Sequence, residues 1–210
     1  MNHILVSLLQ FFARRILRKY RPRIIAVTGS VGKTSAKDAI FAVISGKFFA
    51  WKSPANYNNE IGVPLAIMGV RAGRRRSPFA WLAIFFRAIK LILFPVKYPK
   101  VLVLEMGADN AGDIQKLASL AKPAVAVVTA VSPAHLEFFG TMKRVIEEKG
   151  KLVEALSEDG AAMLNRDDDA VFGMKELTRA KKITFGFREG ADLQAVEMSE
   201  RADGGVAFKI

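Results

Sequence analysis

Apolar and polar positions alternate along this chain in two different periods. Over residues 2–20, Leu5, Leu8, Leu9, Phe12 and Ile16 recur at helical spacing, with Arg14, Arg15, Arg18 and Lys19 behind them. From Arg23 onward, short β-rich runs take turns with amphipathic stretches. The runs Ile24–Thr28, Phe48–Trp51, Val101–Glu105, Ala124–Thr129, Ala161–Asn165 and Lys182–Phe185 read as strands. Lys33–Ser45, Asp113–Ala121, Thr141–Leu156 and Asp168–Arg179 read as helices. This order predicts an α/β fold with a mostly parallel, doubly wound sheet. Ligands of such sheets lie beyond the carboxyl ends of the strands, so the loops after Val27, Leu104 and Val128 are expected to face one crevice.

Two segments break the alternation. The basic-aromatic stretch 71–99 opens with Arg74, Arg75 and Arg76 and continues as an apolar run over 79–94, ended by Pro95. It reads either as an in-plane membrane-surface helix with Trp81 near one end, or as a helix covering the sheet. Its length allows a span, but Arg87 and Lys90 in mid-segment argue against one. The opening helix has the same ambiguity. Its apolar part is too short to span, and its charge follows the apolar run where a secretory leader would have it in front. It is either packed on the domain or an interfacial anchor. The last residues form two strand-like runs around Asp203-Gly204-Gly205, a hairpin signal, and the chain stops inside the second run as a truncated domain would.

Composition adds limits. With 210 residues and 51% hydrophobic content, the chain can bury a substantial core. It has no cysteine, which excludes disulfides and thiolate metal sites and fits a reducing compartment. The net charge of +12 favours anionic partners such as nucleotides, nucleic acid or acidic lipid. Much of it sits in Arg14–Arg23 and Arg71–Lys100, so it describes those two segments rather than the whole domain.

The chemistry centres on Ala26-Val27-Thr28-Gly29-Ser30-Val31-Gly32-Lys33-Thr34. A strand feeds a glycine turn, then a lysine and a hydroxyl, then a helix. Small residues let backbone N–H groups close around phosphate oxygens. The lysine would reach the β- and γ-phosphates and Thr34 would hold Mg²⁺. The outer glycine of the general pattern is replaced by Val27. Glu105 closes an apolar strand and is followed by Met106-Gly107, a position from which an acid could orient that Mg²⁺. His135 lies in a loop just past another strand, where it could ligate a metal or do nothing of the kind. Lys149, taken alone, reads as a surface lysine on an amphipathic helix. The amides of Asn56, Asn58 and Asn59 satisfy turns or face a ligand.

The shortened loop Thr28-Gly-x-x-Gly-Lys-Thr34 resembles that of the Mur ligase family of ATP-dependent amide-forming enzymes. So do Asn56-Tyr-Asn-Asn-Glu-Ile-Gly-Val-Pro64, Glu105-Met-Gly-Ala-Asp-Asn-Ala-Gly-Asp-Ile114, and Pro133-Ala-His-Leu-Glu-Phe-Phe-Gly140 followed by Glu148-Lys-Gly-Lys151. The resemblance covers roughly 22–210 and fits the branch that adds D-alanyl-D-alanine to a UDP-N-acetylmuramoyl peptide. It implies that 23–210 is an incomplete ATP-binding central domain, with 1–22 a basic amphipathic helix and 71–99 an insert.

Several roles follow from the resemblance alone. Gly29, Ser30, Val31, Gly32, Lys33, Thr34 and Ser35 would hold the ATP phosphates. Asn58 or Asn59 would lie near the γ-phosphate and substrate. Thr34 and Glu105 would bind a first Mg²⁺ and His135 a second. Lys149 matches the lysine this family carbamylates. Lys33, His135 and Lys149 are thus the expected catalytic groups. The expected partners are ATP, the UDP-N-acetylmuramoyl peptide and D-alanyl-D-alanine. Membrane-surface contact through 1–20 and 79–94 would add to these, and nucleic acid is not expected. The setting implied is the cytoplasm, peripheral to the inner face of the membrane. Two other readings stay open: an amide ligase with a different substrate, and a non-catalytic nucleotide-binding or membrane-surface module.

Overall fold

The computed structural model describes residues 3–70, 78–133, 139–200 and 206–210. Seven strands form one sheet in the order β2-β3-β1-β4-β5-β6-β7. They are β1 (Arg23–Thr28), β2 (Ala50–Lys52), β3 (Val101–Glu105), β4 (Val125–Val128), β5 (Ala161–Asn165), β6 (Lys181–Gly186) and β7 (Leu193–Gln194). Every adjacent pair in this sheet is parallel. The strand order turns at β1, which lies between β3 and β4, so the loop after β1 opens at the switch point where such sheets bind ligands. A separate antiparallel pair, β8 (Val196–Glu200) and β9 (Val206–Lys209), forms the expected hairpin arms. The turn between them lies outside the described residues.

The sheet is covered on both faces. On one side, α2 (Lys33–Ser45) places Ala36, Ile40, Phe41 and Ile44 against Val27, Val103 and Val127. On the other, a larger core joins Ala26, Leu102, Leu104, Ala126 and Leu164 to α1 (His3–Tyr20), α3 (Gly62–Ile67), α4 (Pro78–Leu93), α5 (Asp113–Leu120) and α6 (Met142–Glu154). β3 is buried along its whole length, which explains its unbroken apolar run.

Several elements depart from the periodicity. The second strand starts two residues late, because the amides of Lys47 and Phe48 still bond to Ile44 O at the end of α2. The stretch 168–179 is not one helix. Asp168 caps α7 (Asp169–Gly173) through the amides of Ala170 and Val171, and the chain then tightens into a 3₁₀ turn, Met174–Leu177. Gly173 at the junction is a poor helix former.

Both ambiguous helices pack on the domain by one face. In α1, Leu9, Ala13 and Ile16 are fully buried, so the packed reading holds for that side. α4 rests on α1 rather than directly on the sheet, burying Ile84, Ala88 and Leu91. The ring of Phe12 lies 5.8 Å from that of Phe85. Lys19 Nζ donates to the carbonyls of Leu91, Ile92 and Phe94 at 2.9, 2.9 and 2.6 Å, and satisfies the carboxyl end of α4. Arg87 does not sit free on the surface beside Lys90; its Nε donates to Met68 O at 2.6 Å. Among the described residues, no helix is long and apolar enough to cross a membrane.

Candidate active site

The loop after β1 is shaped by two glycines with positive φ. Gly32 (φ 78°) precedes α2 without any side-chain cap, so the amides of the first helical turn have no side chain bonded over them there. Gly29 has φ 146°, and a Cβ there would lie 2.1 Å from Thr129 Oγ1 and 3.0 Å from Ala130 O. The loop is pinned to the end of β4: Ser30 N donates to Ala130 O at 2.6 Å and Thr129 Oγ1 donates to Val31 O at 2.6 Å. Gly29→Ala is therefore expected to lower stability by about 1–3 kcal/mol and to displace the loop. Urea unfolding with and without nucleotide checks both effects, and the bound-state gain should shrink in the variant.

Lys33 curls over this loop. Its Nζ donates to Gly29 O at 2.8 Å and Ser30 O at 2.9 Å. Burial lowers its pKa, and the nearby Glu105 carboxylate opposes that shift. A lysine already partly stripped of water gives a strong electrostatic contact to an arriving phosphate.

One residue on, Thr34 Oγ1 donates to Glu105 Oε2 at 2.8 Å. Asn58 Nδ2 donates to the other oxygen, Oε1, at 3.0 Å, and Ser53 Oγ accepts from Glu105 N at 3.0 Å. Glu105 is only 3% exposed. A hydroxyl and a carboxylate this close, beside a phosphate loop, are hard oxygen donors suited to Mg²⁺. That ion keeps waters and phosphates in its shell and needs few protein ligands. No cluster of three His, Cys, Asp or Glu that could hold a metal ion occurs among the described residues. His135 lies outside them.

The two asparagines divide. Asn58 faces Glu105, whereas Asn59 Oδ1 accepts from the amides of Ile61 and Gly62 at 3.2 and 2.9 Å and so shapes the start of α3. Lys149 is not a surface residue; it is 3% exposed. Burial and then the positive charge of Lys33 bring its pKa down to about 8, against the pull of Glu148, Asp109 and Asp113. It thus belongs to the same electrostatic neighbourhood as the phosphate loop.

Sequence reasoning missed two buried charges. Lys37, one turn beyond Lys33 on α2, is 1% exposed, with its Nζ 3.8 Å from Glu105 Oε2 and 3.4 Å from Asp38 Oδ1. Its i, i+4 spacing from Lys33 was the available signal. Glu148, beside Lys149, accepts from the amides of Gly112 and Ile114 at 2.7 and 2.8 Å and fixes the start of α5. A cavity of about 730 Å³, lined by Trp51, Lys52, Ala66 and Arg87 among others, lies elsewhere and is lined by none of these groups.

Known proteins resemble this chain in sequence and fold. The sequence profile of the Mur ligase middle domain matches residues 88–210. The UDP-N-acetylmuramoyl-tripeptide–D-alanyl-D-alanine ligase of Mycobacterium tuberculosis (strain H37Rv) is 34% identical over 176 residues, 84% of this chain. This chain belongs to the Mur ligase family. The corresponding ligase of Bacillus subtilis is 28% identical over 95% of the chain. The crystal structure of MurF ligase from Thermotoga maritima in complex with ADP superposes with a TM-score of 0.75 at 32% identity, covering 97% of this chain and 41% of that one. The chain spans 30% and 37% of the length of the two curated relatives. Its parallel α/β sheet is thus that of a Mur ligase middle domain.

Proposed function

We propose that this chain is the ATP-binding part of a ligase that joins D-alanyl-D-alanine to a UDP-N-acetylmuramoyl peptide in the cytoplasm, forming ADP and phosphate. The observation that carries this reading is the Thr34–Glu105 contact beside Lys33, in a chain 32% identical to a MurF ligase solved with ADP. We read 23–210 as the central domain, 1–22 as a basic helix in front of it and 71–99 as an insert.

In the reaction, a carboxylate oxygen of the peptide attacks the γ-phosphorus of ATP and ADP leaves. The amine of D-alanyl-D-alanine then attacks the acyl carbon, the C–O bond to phosphate breaks, and the amine loses a proton as the amide forms. Such transfers depend on positioning and charge neutralisation more than on covalent help from the protein. Lys33 would bind the β- and γ-phosphates against the amides of 29–35. Thr34 and Glu105 would hold the first Mg²⁺, with Asn58 fixing the Glu105 carboxylate, and His135 would hold a second. Bound Mg²⁺ supplies charge stabilisation to the transferring phosphoryl group. In the gene product that carries this chain, ADP release should require both the peptide and D-alanyl-D-alanine. Release that depends on neither would overturn the assignment.

Lys149 would act as a carbamate. The Lys149 ammonium first loses a proton; the neutral amine then attacks CO₂, a C–N bond forms and a second proton leaves, so a cation becomes an anion beside Lys33. Only the unprotonated amine reacts. With a pKa of about 8, roughly a tenth of Lys149 is neutral at pH 7 and about nine-tenths at pH 9. Labelling with ¹³C-bicarbonate should therefore give a carbamate resonance that grows through pH 8 and vanishes in Lys149→Arg. No resonance at pH 9 would contradict this role. The sign for stability is the same. The folded chain sheds this proton near pH 8 and the unfolded chain only near 10.5, so this group makes folding more favourable as pH rises between the two.

A further inference from the structure

We propose that α1 and α4 form an in-plane docking face for an anionic lipid bilayer, independent of the nucleotide site. The two helices lie side by side and run the same way, because Phe12 meets Phe85 in mid-helix and Lys19 meets Leu91 and Phe94 at the carboxyl ends. Each buries one stripe in the domain and leaves large apolar side chains outside. On α4, Phe79, Leu82, Phe86 and Leu93 are 81, 67, 70 and 69% exposed. Their spacing of three, four and seven residues puts them on one helical stripe. On α1, Ile4 and Phe11 are also exposed.

The charge beside these stripes selects the occupant. Arg14, Arg15 and Arg18 on α1 and Lys90 on α4 are exposed. No Asp or Glu occurs in 1–37 or in 61–104, so neither helix carries an acid. Exposed Phe and Leu on one stripe of α4 with Lys90 at its border, and Arg14, Arg15 and Arg18 three, four and seven residues on from exposed Phe11 on α1, match the demands of helices lying at the headgroup–acyl boundary. Apolar side chains enter the boundary and cations meet the phosphates of anionic headgroups. Helices of 18 and 16 residues with charged borders suit the plane of the interface, not a span.

Vesicle co-sedimentation of the whole chain tests this. Strong binding is expected to phosphatidylglycerol–phosphatidylcholine vesicles, at least tenfold weaker binding to pure phosphatidylcholine, and loss of affinity as salt rises. The triple change Phe79→Ser, Leu82→Ser, Phe86→Ser should lower affinity at least tenfold. These side chains are exposed, so unfolding temperature should change little. The second variant, Arg14→Gln, Arg15→Gln, Arg18→Gln, should cost roughly a hundredfold on anionic vesicles and little on neutral ones. Three results would each overturn the proposal: no binding to anionic vesicles, binding that the serine variant leaves unchanged, or a concentration-dependent dimer that the serine variant abolishes.

Discussion

Changing Lys33 to methionine is expected to weaken Mg-ATP binding by about a hundredfold and to lower turnover of the gene product by about a thousandfold, the range seen when one preorganised charge stabiliser is removed. Methionine keeps much of the aliphatic stem, so the loop loses a cation rather than its packing. The Lys33 ammonium already lies within hydrogen-bonding distance of Gly29 O and Ser30 O, at the mouth of the loop that would receive the phosphates. Arginine should not rescue it, because a wider planar head cannot take the same two contacts from so short a reach. Calorimetry reads the first effect and steady-state kinetics the second. A loss confined to KM would mean that Lys33 holds the ground state and transition state equally.

Changing Glu105 to alanine should be nearly as damaging to nucleotide chemistry and also costly to folding. The carboxylate is the acceptor for Thr34 and Asn58, and it is the buried counter-charge of Lys37. Its removal strands a lysine whose side chain is 2% exposed, leaving only the half-exposed Asp38 nearby. Breaking a buried pair from one side costs about 3–5 kcal/mol, and Asp38 should hold the loss near the lower figure. The double variant Glu105→Ala, Lys37→Met should recover much of that stability while leaving Mg²⁺-dependent binding impaired. Equal instability in the single and double variants would show that Lys37 and Glu105 are not coupled.

The alternation of strand and helix made the sheet readable, since a parallel sheet buried on both faces writes itself as short apolar runs such as Val101–Glu105. The placement of Thr34 near Glu105 also followed from topology, because β1 and β3 are neighbours whose carboxyl ends share an edge. What stayed hidden depends on contacts between residues distant in the chain. Lys149 looks like a surface lysine until the fold buries it and brings Lys33, Asp109 and Asp113, far from it in the chain, into its electrostatic reach. Lys37 is a plain helix lysine until Glu105, far along the chain, comes within 3.8 Å. The stretch 79–94 is apolar on nearly every side, so its pattern could not say which face α1 would take. Asn58 and Asn59 differ only in backbone direction, which no composition encodes.

The most direct test of the nucleotide site is a crystal structure with Mg²⁺ and a non-hydrolysable ATP analogue. The β- and γ-phosphates should lie against the Gly29–Thr34 turn, with Lys33 Nζ bonded to them. A magnesium ion should sit about 2.0–2.1 Å from Thr34 Oγ1 and a Glu105 oxygen. Phosphates bound away from that turn, or a metal held without either residue, would contradict the account.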